Sequence, residues 1–310
     1  DDDHLGFLHA TLNAANAWGL RGNPLGLMNS GSFDNINNIS WAVAPHVNEG
    51  SLPPAKKWWG VQNQGTDPIT YHQYASAFRD VDSEPEWWDI PDWLKKLFYE
   101  VAVKGVAKTG NCFGMSLEAI YSKKDRALLT EPIDRFNTWD PTVVNEFNIK
   151  HQYQVGASAI WWFVGEFLSG QTHDPVSVFR ATRNAFNAGC DPVVCIAQNY
   201  DFSGAPHCIL PVGWNDSVTP WELQIRDPNY PTTSDNDPPR ILYVDPVANT
   251  FHYDGGNVYD GGEWSGGRFH YMPFDLVNER PRTPVYEAIM LLLTGVVVIL
   301  GGDSQTSTLT

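Results

Sequence analysis

The chain changes period at Gly189, and that change does most to limit its fold. Upstream, apolar residues recur at helical spacing. Residues 69–81 read as a helix, and Ile90-Pro91-Asp92-Trp93 opens a clearer one. There, proline suits the first turn, and Trp93, Leu94, Leu97, Phe98, Val101 and Ala102 form one apolar stripe. Residues 153–168 are apolar nearly all round, which predicts a buried helix. Asp174-Pro175 is a strong helix start and Gly189 a strong stop. Downstream, the apolar runs are short and bounded by turn residues. The stretches 193–197, 206–214, 221–227, 241–244, 250–253 and 268–272 read as strands. Helices gathered in one half and strands in the other define an α+β domain.

Two stretches carry chemistry. Gly110-Asn111-Cys112-Phe113-Gly114-Met115-Ser116 sets a cysteine directly before an apolar helical run. Asn111 is a good N-cap residue, so Cys112 is expected in the first helical turn. A thiol there sees the positive end of the helix dipole and unpaired N–H groups, and both favour the thiolate. The plain alternative is a small buried cysteine filling a gap under a helix. The second stretch, 206–227, places His207 near the start of a strand, turn residues at Asn215-Asp216-Ser217, and a strand ending in Arg226-Asp227. Strand side chains alternate, so Leu223, Ile225 and Asp227 share a face, and a hairpin would bring Asp227 beside His207. Cysteine, histidine and carboxylate are the set that thiol catalysis requires. The histidine takes the thiol proton and returns it to the leaving group, while the acid fixes the imidazole tautomer. Asn229 is the reserve for the orienting role.

The order of these pieces resembles the papain-like cysteine peptidases, in particular their bacterial C39-like branch. The resemblance is carried by the G-N-C-F-G-M-S helix start, by Gly189 and Pro192-Val193-Val194 followed by the P-H-C-I-L-P-V-G-W strand, and by the I-R-D-P-N-Y-P strand end. It covers roughly residues 105–231. It implies a papain-like core, with a helical half carrying the cysteine and an antiparallel sheet half carrying the histidine and the acid. It also implies that Cys112 is the nucleophile, His207 the base and Asp227 the orienting residue, in a thiol hydrolase of peptide or isopeptide bonds. Transglutaminase, deamidase or cell-wall amidase chemistry would use the same triad, and a catalytically inactive binding module would keep the fold alone. The Cys-to-His separation, 207 − 112 = 95 residues, is shorter than in papain and suits a trimmed core. Papain-like enzymes usually carry an oxyanion-binding glutamine six residues before the nucleophile, and here that residue is Val106. With the Cys112 N–H as first donor, the second is expected from Gln64, then Asn111, then Gln62.

Composition narrows the partners. A net charge of −16 argues against nucleic acid, which needs a basic face. A peptide or protein substrate is expected, with no cofactor and no metal. The nine histidines show no H-E-x-x-H spacing and no Cys–His zinc pattern. No membrane segment is expected, because the apolar run 289–300 is short and broken by Thr294-Gly295, and it reads as a buried strand pair. Low lysine with many Asn, Gly and Trp suggests a secreted or extracytoplasmic, bacterial protein. Cys190, Cys195 and Cys208 are expected as buried free thiols, although Cys190 and Cys195 are near enough in sequence to bridge. Cys208 should point away from the His207 face. The expected organisation is an irregular N-terminal extension over 1–85 packed on the core, a papain-like domain over 86–301, and a linker-like tail over 302–310. The tail allows for further domains of a longer parent chain.

The Trp-Trp pairs at 58–59, 87–88 and 161–162 are candidate stacking surfaces or core, and Trp214 or Trp221 is expected to shield the His207–Asp227 hydrogen bond. Tyr253-Asp254-Gly255-Gly256 recurs as Tyr259-Asp260-Gly261-Gly262. It reads as two Asp-Gly turns in preference to a pair of Ca²⁺ ligand sets.

Overall fold

The computed structural model describes residues 58–285 apart from 67, 85–89, 125–128, 130–132, 134–135, 200–204, 233–236 and 263–264. By its internal contacts the chain divides into Glu49–Val285 and a second unit of Asp1–Asn48 with Tyr286–Thr310, and every described residue belongs to the first. The first 57 residues of the expected N-terminal extension, the strand pair expected over 289–300, the Trp87-Trp88 pair and the tail from 302 lie outside the described residues.

The described part is α+β. Its α-helices are α1 (Tyr71–Ala77), α2 (Ile90–Phe98), α3 (Cys112–Lys123), α4 (Pro141–His151), α5 (Ala157–Leu168) and α6 (Pro175–Asn187). Asp174 caps α6 as its sequence implies, by accepting from the Ser177 N–H. Asp140-Pro141 starts α4 in the same way, with Asp140 accepting from Thr142 and Val143. This helix has no clear apolar face, and periodicity alone passes over it. A π-turn, Tyr99–Val103, continues α2. The apolar stripe of α2 and the π-turn is divided: Phe98 is buried, while Trp93, Leu97 and Val101 are 55%, 44% and 56% exposed.

The strands are β1 (Val193–Ala197), β2 (His207–Asn215), β3 (Trp221–Arg226), β4 (Arg240–Asp245), β5 (Thr250–Asp254), β6 (Val258–Gly262), β7 (Ser265–Gly266) and β8 (Arg268–Met272). They form one antiparallel sheet of order β7-β6-β5-β4-β3-β2-β1-β8. Alternation puts Val194, Ile196, Ile209, Leu223, Ile225, Leu242, Val244, Phe251, Tyr253, Tyr259 and Phe269 in one buried cluster, closed by Val176 and Phe179 of α6. The first Tyr-Asp-Gly-Gly copy makes the β5–β6 turn. The second lies within β6 and is not a turn.

Two cysteines expected as free thiols are joined. Antiparallel register sets Cys195 of β1 directly opposite Cys208 of β2, and their sulfurs form a disulfide. Sequence distance favoured Cys190 as a partner for Cys195, but strand pairing decides. Cys112 and Cys190 remain free.

The backbone before α1 runs beside the segment that follows the π-turn. The Thr66 N–H donates to the Ala107 carbonyl at 3.1 Å and the Ile69 N–H to the Lys104 carbonyl at 3.0 Å. Between these points α1, α2 and the π-turn enclose an aromatic cluster of Tyr71, Tyr74, Phe78, Phe98 and Tyr99, with ring centroids 5.1–6.3 Å apart.

Helix α3 packs against α4 and β2 and is buried from Cys112 to Ser122. That burial encloses Glu118, whose nearest cation, Lys150 of α4, is 3.6 Å away. Burial pushes the Glu118 carboxyl up to about 7 against the pull of Lys150. The folded state then holds a proton that the unfolded chain releases. Stability from this group is complete below its ordinary pKa of 4.5, falls as pH rises, and levels off above about 7. Urea unfolding at pH 4.5 and pH 8 is expected to show a fall that shrinks by roughly 3 kcal/mol in Glu118→Gln. Equal falls in the two proteins would assign the pH dependence to other groups.

Candidate active site

Cys112 is the first residue of α3, and nothing side-chain caps that helix in the expected way. Asn111 occupies the N-cap position, but its Nδ2 donates to the Thr66 hydroxyl at 3.2 Å, away from the first-turn N–H groups. Its side chain is fully buried, so it is poorly placed to meet a substrate oxyanion. The first turn is held instead by His151 of α4. Its Nδ1 accepts from the Gly114 N–H at 3.3 Å, and its Nε2 lies 3.2 Å from the Val106 carbonyl. Burial lowers the His151 pKa to about 4, and a neutral ring accepts at one nitrogen while donating at the other.

The β2–β3 hairpin brings His207 and Asp227 together. His207 opens β2, Asp227 directly follows β3, and His207 Nε2 lies 2.6 Å from Asp227 Oδ1. With Nε2 committed to the acid, Nδ1 is left for the thiol. The Cys112 sulfur stands beside this pair: the neighbouring Cys208 N–H donates to it at 3.4 Å, and its proximity helps to raise the His207 pKa. Both His207 and Asp227 are buried. Burial alone would lower the His207 pKa. The hydrogen bonds and charges of Asp227 and Cys112 outweigh it and raise the pKa well above the ordinary range. Burial likewise opposes the Asp227 charge, yet its bonds to His207, the Tyr253 hydroxyl and the Asn229 N–H hold its pKa below the usual value.

Asn229 does not orient the histidine. Its N–H donates to Asp227 Oδ1 at 2.7 Å, and its side-chain oxygen accepts from Asn63 Nδ2 at 2.9 Å. Asn63 is a residue that sequence reading passed over. Besides Asn229 it binds the Pro228 carbonyl through its own N–H at 2.6 Å, and its Oδ1 accepts from the Asn111 N–H at 2.6 Å. One side chain thus ties the residue before Cys112 to the loop after Asp227. Gln64 and Gln62, on either side of it, are both exposed. Gly65 lies so close to the Lys108 carbonyl that a Cβ there would be 2.0 Å from its oxygen. Gln64 therefore stands beside the segment that runs into Cys112.

Aromatic cover comes from an unexpected quarter. Trp221 opens β3, about 20 Å along an extended chain from Asp227, and packs at a tilt on Phe179 of α6. Trp214 stacks on Phe186. The rings beside the histidine are tyrosines: Tyr259 lies over His207 with centroids 6.5 Å apart, and over Tyr253 at 6.2 Å. Trp58 and Trp59 are buried, with Trp59 Nε1 donating to the Met115 carbonyl of α3 at 2.9 Å. Among the described residues no group of three or more His, Cys, Asp or Glu side chains is arranged to hold a metal ion, and no helix is long and apolar enough to cross a membrane. Comparison with protein-family models, with curated proteins and with solved structures gives no match for this chain.

Proposed function

We propose that this chain is a papain-like thiol hydrolase that cleaves a peptide or isopeptide bond. One observation carries the reading: a buried His207–Asp227 pair, 2.6 Å apart, meets a free cysteine at the first residue of a helix. The division of labour follows from it. A histidine that holds its proton through neutral pH favours the thiolate form of its cysteine partner. The Cys112 sulfur attacks the substrate carbonyl carbon, and the C–S bond forms as the carbonyl oxygen takes negative charge. The Cys112 N–H opens α3, where no earlier helical carbonyl claims it, and is free to meet that oxygen. The Gln64 side-chain amide is assigned as the second donor, on the closeness of its backbone segment to the residues before Cys112. His207 gives its proton to the leaving nitrogen, and the C–N bond breaks. Water then adds to the thioester, His207 takes its proton, and the carboxylic acid leaves as Cys112 is restored.

A papain-like arrangement agrees with a cysteine-bearing helix set against an antiparallel sheet that carries histidine and acid. The substrate class is a peptide or protein. A secreted or extracytoplasmic location agrees with the Cys195–Cys208 disulfide, since such bonds persist in oxidising compartments.

The test combines labelling with turnover. Cys112 is less accessible than Cys190, so an inert pair of thiols would react at Cys190 first. At pH 6, where an ordinary thiol of pKa about 8.5 barely reacts, iodoacetamide is expected to modify Cys112 ahead of Cys190. Wild type should hydrolyse members of a broad peptide library and Cys112→Ala none. Preferential labelling of Cys190, together with no cleavage by wild type, would leave a binding module as the better reading.

A further inference from the structure

We infer that Tyr253, backed by Arg240, is a positioning residue that keeps Asp227 oriented and ionised behind His207. The inference rests on the thiol-hydrolase reading of the site and adds two residues to it. Asp227 divides its oxygens. Oδ1 receives His207 Nε2 at 2.6 Å and the Asn229 N–H at 2.7 Å, and Oδ2 receives the Tyr253 hydroxyl. The carboxylate is therefore gripped from two sides and cannot turn about its Cβ–Cγ bond without breaking contacts at both. Tyr253 is fully buried in β5, two strands from β3 in the sheet order, so its position is set by the sheet and not by the loop it supports. The phenol is held protonated by burial and by the charge of Asp227, which makes it a donor at all working pH values.

Arg240 completes the line. Its Nε donates to the Tyr253 oxygen at 3.2 Å, and its terminal nitrogen donates to the Asp254 carbonyl at 2.6 Å. Its guanidinium lies over the Tyr230 ring, 3.8 Å from the centroid. A cation donating to the phenol oxygen polarises the O–H that Asp227 receives. Gly255 lets the β5–β6 turn close over the pair, because a Cβ there would be 2.4 Å from the Tyr253 ring and 3.2 Å from Asp227 Oδ2. The charged and titratable groups around Asp227 are then His207 and Cys112 on one side and Tyr253 with Arg240 on the other. Tyr259 stacks on both His207 and Tyr253. Arg226, adjacent in the chain, is turned to the Asp237 carbonyl.

The experiment compares wild type, Tyr253→Phe and Arg240→Met as full chains. It reads kcat and KM for peptide hydrolysis against pH, and the rate of iodoacetamide alkylation at Cys112 against pH. Phenylalanine keeps the ring stacked on Tyr259 and removes only the donor. Expected for Tyr253→Phe is a kcat about tenfold lower with KM unchanged, and an acid limb moved up by about one pH unit in both profiles. These are the changes set by one lost hydrogen bond to a charged acceptor. Arg240→Met is expected to move the acid limb in the same direction by less. Profiles that superimpose on wild type in both variants overturn the inference. If Tyr253→Phe does not fold, Arg240→Met decides alone. If wild type cleaves no peptide, the hydrolase reading falls, and the alkylation profiles still decide the role of Tyr253.

Discussion

Replacing His207 by alanine is expected to lower kcat for peptide hydrolysis by on the order of 10⁴-fold, the largest single loss in the site after that of the nucleophile itself. The size follows from the two steps that pass through one ring. His207 is bound to Asp227 and sits beside the Cys112 thiol, whose sulfur accepts from the next residue's N–H. Without it the thiol loses the cation that favours its anion, and the leaving nitrogen loses its proton donor. Substrate contacts elsewhere are untouched, so KM should change little. Alkylation of Cys112 at pH 6 should slow with the turnover. A His207→Ala protein that keeps wild-type turnover would remove His207 from the mechanism and Asp227 with it.

The second large effect is expected at Gln64. Alanine there should lower kcat by about 10²–10³-fold, the usual loss of one oxyanion donor, with KM little changed. Asn111→Ala should not reproduce it, because the Asn111 amide is buried and committed to Thr66. Gln62→Ala serves as the exposed neighbouring control. Steady-state kinetics of the three variants on one peptide decide the matter. A loss at Gln62 alone, or at neither glutamine, would mean that another group or a second backbone N–H holds the oxyanion.

Much of this geometry was legible in the sequence, and the illegible parts share a cause. The β2–β3 hairpin could be read because its contacts are local: turn residues fix the register, and alternation fixes the shared face of Leu223, Ile225 and Asp227. The start of α3 could be read because Cys112 precedes a continuous apolar run. Asn63 could not be read, since its partners Asn111 and Asn229 lie far along the chain and nothing in its neighbours marks it. Gln64 was named from the sequence by residue type alone; what the sequence could not show is that the Thr66 N–H binds the Ala107 carbonyl, which sets the neighbouring backbone beside the segment before Cys112. The Asp-Gly turn expected in the first Tyr-Asp-Gly-Gly segment is present between β5 and β6, the second is not a turn, and neither marks the tyrosines, of which Tyr253 binds Asp227 and Tyr259 lies over His207. The disulfide was missed because residues thirteen apart face each other only once β1 and β2 pair.

That disulfide sets a condition on how the protein can be handled. The proposed mechanism needs Cys112 reduced, while Cys208, whose amide donates to the Cys112 sulfur, is held in a disulfide. Reducing agents that rescue an oxidised Cys112 also attack the bond that fastens β1 to β2, the strand that begins with His207. Oxidants that protect the strand pair threaten the free Cys112 thiol. On the proposed mechanism the protein therefore works in a window of redox potential bounded on both sides, one limit set by the Cys195–Cys208 bond and the other by the Cys112 thiol.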